Sequence, residues 1–542
     1  MTQPDPLAAL RIALDEAAGA FGAPKSAPTL ERPKQAGHGD YSTNAALLLA
    51  PGAGRPPREL AESLAVALRE RLGEDVRGAE VAGPGFVNLV MADGWYGRAL
   101  RHVLAAGEGF GGGGVAGAAQ RIDVEFVSAN PTGPMHVGHA RNAAYGDAVS
   151  RILAFHGHDV TREFYVNDHG TQIVKLGASI IARAHGEQPP EGGYVGDYVN
   201  DLVALAEGRD DPAEVGLAAV GENVERMKRS LERFGVAPFE VWTSERALHL
   251  DGRVAEALAA LRERGETYES EGATWLRTSA RGDDKDRVLV RRTGDHTYFT
   301  SDLGYLLDKR ARGFDRLLIV LGADHHGYQG RMKAAYGSLG GDPDALELLI
   351  MQFVHLVEGG ARAAMSKRAG EFVTLDELVA EIGVDAARWF LLARSHDTTI
   401  DLDLDLAREQ SAENPVYYVQ YAHARIASVL EKAGGERVQR ALDAVADGAV
   451  AAGLEGAERA LVKRLLAFPA EVADAAERRA PHRVATYALE LAQDFTAFYR
   501  DCRVVGAQPP ELESFRIALA VAAKRTIATA LGLLGVGAPD SM

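Results

Sequence analysis

The stretch Val124–His139, VEFVSANPTGPMHVGH, decides how this 542-residue chain is organised. Its first part is typical of a sheet strand, because Ile122, Val124 and Phe126 alternate with two acidic residues. Two prolines and a glycine then break regular structure, and after Gly138 apolar residues recur at helical spacing. The stretch therefore predicts a strand, a loop and a helix in succession.

Two histidines, His136 and His139, lie at the predicted junction of loop and helix. Their spacing of three residues places both imidazoles on one face of a helix. The unpaired N–H groups and positive dipole of a helix start favour a phosphate, and Gly138 leaves room for its close approach. Two imidazole donors would stabilise charge that develops on an α-phosphate. The alternative for so short a motif is two histidines that only cap or pack at a helix start.

Composition and charge define the class of protein before any other motif is considered. The chain is 46% hydrophobic and 25% charged, which predicts a soluble globular protein of two to four domains. Long uncharged apolar runs and a secretory signal are both missing, so we expect no membrane segment. The single cysteine, Cys502, excludes an internal disulfide, and together these features predict the cytoplasm. The net charge of −17 argues against a nucleic-acid coat but permits local basic patches.

The local patterns divide the chain into four parts. Residues 1–106 combine helical and strand-like stretches, and the glycine- and alanine-rich segment 107–120 is predicted to be a linker. Residues 121–405 alternate strands with helices, interrupted by a charged, mostly helical insertion at about 186–272. Residues 406–542 are predicted to be helical throughout.

The alternating part predicts a doubly wound parallel sheet. Candidate strands are Asp159–Asp168, Arg316–Leu321 and Leu346–Val357, in addition to the one that precedes the histidines. The second ends in GADHHG, and the third leads into a loop that contains Met365–Gly370, MSKRAG. Ligands of such sheets bind outside the carboxyl ends of the strands, where these motifs lie. A loop with adjacent cations and a glycine suits a leaving pyrophosphate, although a solvated basic loop is the plainer alternative.

Several stretches, in this order, resemble the arginyl-tRNA synthetase family of class I aminoacyl-tRNA synthetases. Ala129–His139 matches the HIGH signature with Val137 for isoleucine, and Ala364–Leu378 matches the KMSK loop and its sequel. Further matching blocks are NDHGTQ (Asn167–Gln172), TYFTSDLGY (Thr297–Tyr305), GADHHGY (Gly322–Tyr328) and NPVYYVQYAHARI (Asn414–Ile426). The resemblance implies a Rossmann-like α/β catalytic domain, an α+β N-terminal appendage and an all-α anticodon-binding domain.

One residue departs from the family pattern. The first lysine of KMSK is Ala364 here, whereas the second is present as Lys367. Another cation would then assist the leaving group, and Arg368 and Arg362 are the candidates.

The resemblance also implies which residues bind the substrates. His136, His139 and Lys367 would take part in catalysis. ATP would be bound by His136, Gly138, His139, Gly322, Asp324, His325, Met365, Ser366 and Lys367. Arginine would be bound by Glu125, Asn130, Glu245, Tyr298, Asp302 and Gln329. Carboxylates pair bidentately with a guanidinium, and an aromatic ring can stack on it. Tyr298 and Asp302 lie four residues apart, so on a helix they share one side.

Metal and tRNA contacts complete the expectations. Asp324 beside His325 suggests a metal as an alternative, but no further ligand cluster stands near in sequence, so we expect Mg²⁺ only with ATP and no structural metal.

Rings and polar groups for tRNA bases and phosphate are expected at Phe86, Asn88, Tyr417, Tyr421 and Arg425, with Tyr418 and His423 nearby. The alternatives are Phe86 as a core residue and the tyrosines as an ordinary helix face.

The function implied by the resemblance is ATP-dependent activation of L-arginine and its transfer to tRNA-Arg, by a monomer. Two rival functions remain open. A different nucleotidyltransferase would share the histidine chemistry but would have no anticodon-binding module. A regulatory protein without catalysis would have a damaged signature, whereas His136, Gly138, His139 and Lys367 are all present.

Overall fold

The computed structural model describes residues 5–23, 26–33, 37–323, 327–362, 373–449 and 451–542. Within these ranges, every helix is too short or too polar to cross a membrane.

The N-terminal part packs helices on a small antiparallel sheet. Its elements are α1 (Pro6–Gly19), β1 (Tyr41–Thr43), α2 (Ala45–Ala53), α3 (Pro57–Leu72), β2 (Val76–Ala82), β3 (Phe86–Met91) and α4 (Asp93–Ala106). The strand order is β1-β3-β2, with both pairings antiparallel. The segment predicted to be a linker follows α4. Phe110 within it is buried, 6.3 Å from the ring of Phe468, so this segment packs on the helical C-terminal part instead of crossing solvent.

The central part is built on five parallel strands. Its elements are β4 (Arg121–Glu125), α5 (Val137–His156), β5 (Asp159–Val166), α6 (Thr171–Ala184), α7 (Pro212–Arg233), β6 (Val241–Ser244), α8 (Glu245–Leu250), α9 (Arg253–Glu263), β7 (Thr267–Ser270), β8 (Ala273–Leu276), β9 (Arg287–Val290), α10 (Tyr298–Ala311), β10 (Arg316–Gly322), α11 (Tyr328–Ser338) and β11 (Leu346–Met351). The order is β11-β10-β4-β5-β6, all parallel. The direction of winding reverses between β4 and β10, where open α/β sheets bind their ligands. The predicted doubly wound sheet is confirmed.

The predicted insertion at about 186–272 is wrong in one respect. It contains β6, which pairs in parallel with β5 and is the edge strand of the central sheet. The alternation of strands and helices therefore continues through it. The four residues of β6 are only half-buried, so their sequence lacks the apolar run that marks an inner strand. The antiparallel sheet of β7, β8 and β9 then follows as a separate layer.

The predicted single strand Leu346–Val357 is also wrong, because two strands in different sheets share it. β11 ends at Met351, and β12 (Val354–Glu358) pairs with β14 (Ile400–Asp403) and β13 (Ala361–Arg362). Arg141 of α5 lies at the break. Its buried guanidinium donates to the carbonyl oxygens of Gln352 (2.7 Å) and Phe353 (3.4 Å), and the latter also accepts from the Ile400 N–H (3.0 Å), where the pairing of β12 with β14 begins.

The C-terminal part is helical, as predicted. Its elements are α12 (Leu375–Ile382), α13 (Val384–Leu392), α14 (Leu404–Arg408), α15 (Pro415–Ala433), α16 (Gly435–Ala446), α17 (Gly456–Glu477), α18 (Pro481–Asp501) and α19 (Pro510–Leu533). The connection from α17 to α18 contacts the central part. There Arg479 pairs with Glu347 of β11 (2.9 Å), and its carbonyl oxygen accepts from the Tyr145 hydroxyl of α5 (2.6 Å).

Candidate active site

The loop after β4 is held in a conformation that few side chains tolerate. Val127 and Ser128 have φ angles of 67° and 40°, in the left-handed region. Such strain in residues other than glycine clusters at functional sites. Asn142 of α5 stabilises the loop, since its Oδ1 accepts from the Val127 N–H (2.6 Å) while its Nδ2 donates to Val320 of β10 (3.2 Å). One amide side chain thus joins the two strands at which the winding reverses.

His136 and His139 are packed together at the start of α5. Their rings stack with centroids 3.7 Å apart. Nδ1 of His136 accepts from the Gly138 N–H (3.0 Å), and Nδ1 of His139 accepts from the His136 N–H (3.2 Å). Because an accepting Nδ1 carries no proton, each neutral ring presents Nε2–H as a donor. Burial lowers the pKa of His136, and burial followed by the neighbouring imidazole lowers the pKa of His139 to about 3.

This geometry corrects the expected phosphate site at the helix start. The N–H groups of Gly138 and Val137 are already used, by the His136 ring and by the Val373 carbonyl oxygen (3.1 Å) respectively. An anion in front of α5 would therefore meet the two Nε2–H donors and not these amides. Gly138 permits this arrangement, because a Cβ there would lie 2.9 Å from Cε1 of His136.

The chain that follows the predicted KMSK loop returns to the histidines. The Leu375 N–H donates to the Met135 carbonyl oxygen (2.8 Å), and Thr374 forms an isolated antiparallel bridge with His136. The start of α12 is thus joined to the signature junction.

Three carboxylates converge on a single pocket beyond the end of β4. Glu125 and Glu245 are each only 5% exposed. Burial raises the pKa of Tyr165, and Glu245, Asp302 and Glu125 raise it further through their charges. The Tyr165 hydroxyl thus lies close to all three carboxylates. So much negative charge gathered in one place suits a cationic ligand.

The pKa of Asp302, one of the three carboxyl groups, lies well above its ordinary value. Burial, Glu245 and Glu125 raise the pKa of Asp302 to about 7, although the Tyr328 hydroxyl opposes the shift by donating to its Oδ2. Burial likewise raises the pKa of Glu245. Near neutral pH, Asp302 without a cation beside it is therefore partly protonated, and a bound cation would displace that proton.

The other residues expected to bind arginine lie around the rim. Tyr298, at the first turn of α10, is 76% exposed. Oδ1 of Asn130 accepts from Nδ2 of Asn167 (3.1 Å). Gln329 is exposed, and its Nε2 donates to the Leu348 carbonyl oxygen (2.9 Å), so its oxygen and its second N–H remain for a ligand.

Sequence reasoning missed the buried cluster that holds Glu125. Nζ of Lys309 donates to Asp123 and to Glu163 (2.6 Å) and lies 3.3 Å from Glu125. Burial lowers the pKa of Lys309, but the three carboxylates raise it above its ordinary value overall. The Tyr305 hydroxyl donates to Oε2 of Glu125 (2.8 Å). The helical spacing of these α10 residues from Asp302, at three and seven positions, is the sequence signal that reveals them.

The expected ATP-binding residues are described only in part. Gly322 is the exposed last residue of β10, next to the reversal in winding. Asp324, His325, Met365, Ser366 and Lys367 lie outside the described residues, as do Ala364 and Arg368. The remaining candidate cation, Arg362, pairs with Asp401 at 3.1 Å on the surface.

The two expected tRNA-binding regions differ in accessibility. Phe86 on β3 is 38% exposed, which argues against a core role. Asn88 is buried, and its Oδ1 accepts from the Ser42 hydroxyl (2.8 Å), so the expectation that it meets a base directly is not supported by its position.

On α15 the rings of Tyr417 and Tyr421 stack with centroids 6.1 Å apart, beside a pocket of about 260 Å³. The Arg425 guanidinium lies 4.6 Å from the centre of the Tyr421 ring. His423, by contrast, is buried and donates from Nδ1 to the Pro539 carbonyl oxygen (2.8 Å).

Comparison with known families agrees with this architecture. The model of the arginyl tRNA synthetase N terminal domain matches residues 7–91. The catalytic domain of tRNA synthetases class I (R) matches residues 102–191 and 217–428. The DALR anticodon binding domain matches residues 419–542.

Individual relatives agree as well. The arginine–tRNA ligase of Kineococcus radiotolerans is 46% identical over 565 aligned residues, which cover 100% of both chains. That of Geobacillus kaustophilus is 46% identical over 95% of this chain and 94% of its own. The solved structure of Thermus thermophilus arginyl-tRNA synthetase has the same fold, with a TM-score of 0.76 and 24% identity over 99% of this chain and 100% of its own. On the strength of the sequence matches, which extend from end to end, this chain belongs to the arginyl-tRNA synthetase family of class I aminoacyl-tRNA synthetases.

Proposed function

We propose that this chain activates L-arginine with MgATP and transfers the arginyl group to the terminal ribose of tRNA-Arg. The observation that carries the proposal is that one strand–loop–helix unit holds both the histidine donors and Glu125, one of the three carboxylates of the anionic pocket. Glu125 ends β4, and His136 caps α5 eleven residues later. The unit thus offers donors for a phosphate beside acceptors for a cation.

The first step is in-line attack of the arginine carboxylate on the α-phosphorus. A carboxylate oxygen forms a bond to phosphorus, the bond to the bridging oxygen breaks, and pyrophosphate leaves. The Nε2–H groups of His136 and His139 would donate to the α-phosphate oxygens as their charge grows. Gly322 would border the nucleotide, and Asp324, His325, Met365, Ser366 and Lys367 are proposed to complete the ATP site.

The pocket would recognise arginine by the two cationic groups of this amino acid, the guanidinium and the α-ammonium. Asp302 and Glu245 would accept from the guanidinium, with Tyr298 stacked on it. Glu125 and Asn130 would hold the α-ammonium group, with the Gln329 oxygen as a further acceptor. Lysine would bind less well, because a point ammonium cannot satisfy two separated acceptors in the plane of a guanidinium.

The tRNA would contact both ends of the chain. Exposed Phe86 is proposed to stack on a base. Asn88, on the same strand, would stabilise that strand through its hydrogen bond with Ser42. The surface formed by Tyr417, Tyr421 and Arg425 is proposed to receive anticodon bases, because its rings and cation are accessible. We place the N-terminal, catalytic and anticodon-binding domains at 1–106, 121–405 and 406–542, and propose a cytoplasmic monomer, which light scattering would test.

Amino-acid-dependent exchange between pyrophosphate and ATP tests the specificity. Each of the twenty amino acids is supplied in turn, with and without tRNA-Arg. We expect arginine to be the only one of the twenty amino acids that supports exchange. Exchange with lysine or cysteine in place of arginine would overturn the proposal.

The variant His139→Ala tests the phosphate donors. We expect turnover to fall by about 10²–10³-fold, because one preorganised donor to the developing charge is lost. tRNA binding should persist, since His139 belongs to neither of the two proposed tRNA surfaces. His185→Ala, which removes an exposed histidine at the end of α6, is the control. Unchanged turnover in His139→Ala would contradict the assigned role.

A further inference from the structure

Glu245 reaches the pocket from a very short helix whose position needs support. Helix α8 has six residues, and Glu245 is the first of them. Asp168, after β5, supplies part of that support. Its Oδ2 accepts from the Ser244 hydroxyl (2.6 Å) and its Oδ1 from the Arg246 N–H (2.9 Å). These bonds fix the backbone of the helix but do not reach the carboxylate of Glu245.

A second set of contacts reaches the Glu245 carboxylate itself. Ser301 precedes Asp302 on α10 and is 5% exposed. Its hydroxyl lies 2.9 Å from Nε2 of His249 and faces the Glu245 carboxyl, whose pKa it lowers against the larger effect of burial. An ionised carboxylate only accepts, so Ser301 can donate to Glu245 while it accepts from the Nε2–H of His249. The three side chains are thus placed for one directed chain of hydrogen bonds.

His249 is held in place on its other face. It lies four residues after Glu245, on the same side of α8. The ring of His169, from the NDHG segment, stacks on it with centroids 4.3 Å apart and an interplanar angle of 20°. The orientation of Nε2 is therefore set by packing as well as by the bond to Ser301.

We propose that Ser301 and His249 are positioning residues for arginine specificity. His249 orients the Ser301 hydroxyl, and Ser301 holds the Glu245 carboxylate in the orientation that pairs with a planar guanidinium. Neither residue touches the substrate. The proposal rests on the arginine-binding role of Glu245 given above. It also explains the NDHG segment, which fixes α8 through Asp168 and His249 through His169.

The test compares Ser301→Ala, Glu245→Gln and the double variant in aminoacylation of tRNA-Arg. We expect Ser301→Ala to raise KM for arginine by about tenfold, the effect of losing a hydrogen bond to a charged group, with little change in kcat or in KM for ATP. In the Glu245→Gln background the same substitution should have almost no effect, because it acts through that carboxylate.

His249 provides an independent pair of variants. Glutamine can place an N–H near the position of Nε2, so His249→Gln should retain most of the arginine affinity. His249→Leu should behave like Ser301→Ala. Thr300→Val is the control for a lost hydroxyl, since Thr300 is buried on the same helix but donates to Leu289 (2.7 Å), away from the pocket. We expect it to lower the melting temperature and leave KM for arginine unchanged.

The outcomes separate this proposal from the one on which it rests. If Glu245→Gln raises KM for arginine but Ser301→Ala does not, or if their effects simply multiply, the positioning role is overturned while the role of Glu245 stands. If Glu245→Gln itself leaves KM unchanged, both fail. Equal losses in His249→Gln and His249→Leu would remove His249 from the proposal, and an unchanged KM in Ser301→Ala would reject it entirely.

Discussion

Arginine binding should depend on pH near neutrality, because of Asp302. Burial and the neighbouring Glu245 and Glu125 raise the pKa of this carboxyl to about 7. The guanidinium stays charged throughout the accessible range and pairs with the ionised form. Arginine should therefore displace a proton from Asp302 when it binds below or near this pKa. Affinity should rise with pH and level off above it.

The expected size of the pH effect on arginine affinity follows from the pKa of Asp302. An acid with a pKa of about 7 is ionised to about 90% at pH 8 and about 10% at pH 6. The dissociation constant for arginine should thus be about tenfold higher at pH 6 than at pH 8, a difference of about 1.4 kcal/mol. At pH 7, binding should release about half a proton.

Isothermal titration calorimetry of arginine measures both quantities, in buffers that differ in ionisation enthalpy. Asp302→Asn is the matched variant, and it should bind about 10–100-fold more weakly because an ionic hydrogen bond is lost. Its affinity should no longer vary between pH 6 and 8. A wild-type affinity that does not change with pH, or a pH dependence that survives in Asp302→Asn, would refute the reasoning.

The same pKa shift has a consequence for stability. Since the folded-state pKa of Asp302 lies above that of an exposed aspartate, the ligand-free protein loses stability as pH rises through about 7. A bound guanidinium removes this penalty. The rise in melting temperature that saturating arginine produces should therefore be greater at pH 8 than at pH 6.

Three further substitutions have defined outcomes. Gly138→Ala places a methyl group 2.9 Å from Cε1 of His136, so we expect turnover to fall at least tenfold in pyrophosphate exchange while circular dichroism stays unchanged. Gly146→Ala would place its Cβ 2.1 Å from Cγ of Phe126 in the core below the signature loop, and urea unfolding should show a loss of about 1–3 kcal/mol. Tyr421→Ala removes an exposed ring beside the pocket on α15, and filter binding should show tRNA-Arg affinity reduced by about 1–3 kcal/mol while arginine affinity is unaffected.

The class of fold and most elements could be predicted from the sequence, because they depend on local periodicity. The strand before Phe126, the helix after Gly138 and the helix Pro415–Ala433 follow from spacing alone. β6 could not be predicted, since an edge strand of four half-buried residues has no apolar signature. The break at Gln352 was equally hidden, because the guanidinium that binds its carbonyl oxygen lies 211 positions away in the sequence.

The candidate site likewise has features that the sequence predicts and features that only the folded chain shows. The sequence by itself indicated the family and the histidine pair and, through the family resemblance, named the acidic residues that we propose bind arginine, since each belongs to a short motif. Only the tertiary structure decided the protonation state of these groups and the contacts that orient them. It made His136 and His139 neutral donors, raised the pKa of Asp302, and brought Lys309 to Glu125 and Ser301 to Glu245. Protonation and orientation depend on burial and on partners distant in sequence, and both arise only when the chain has folded.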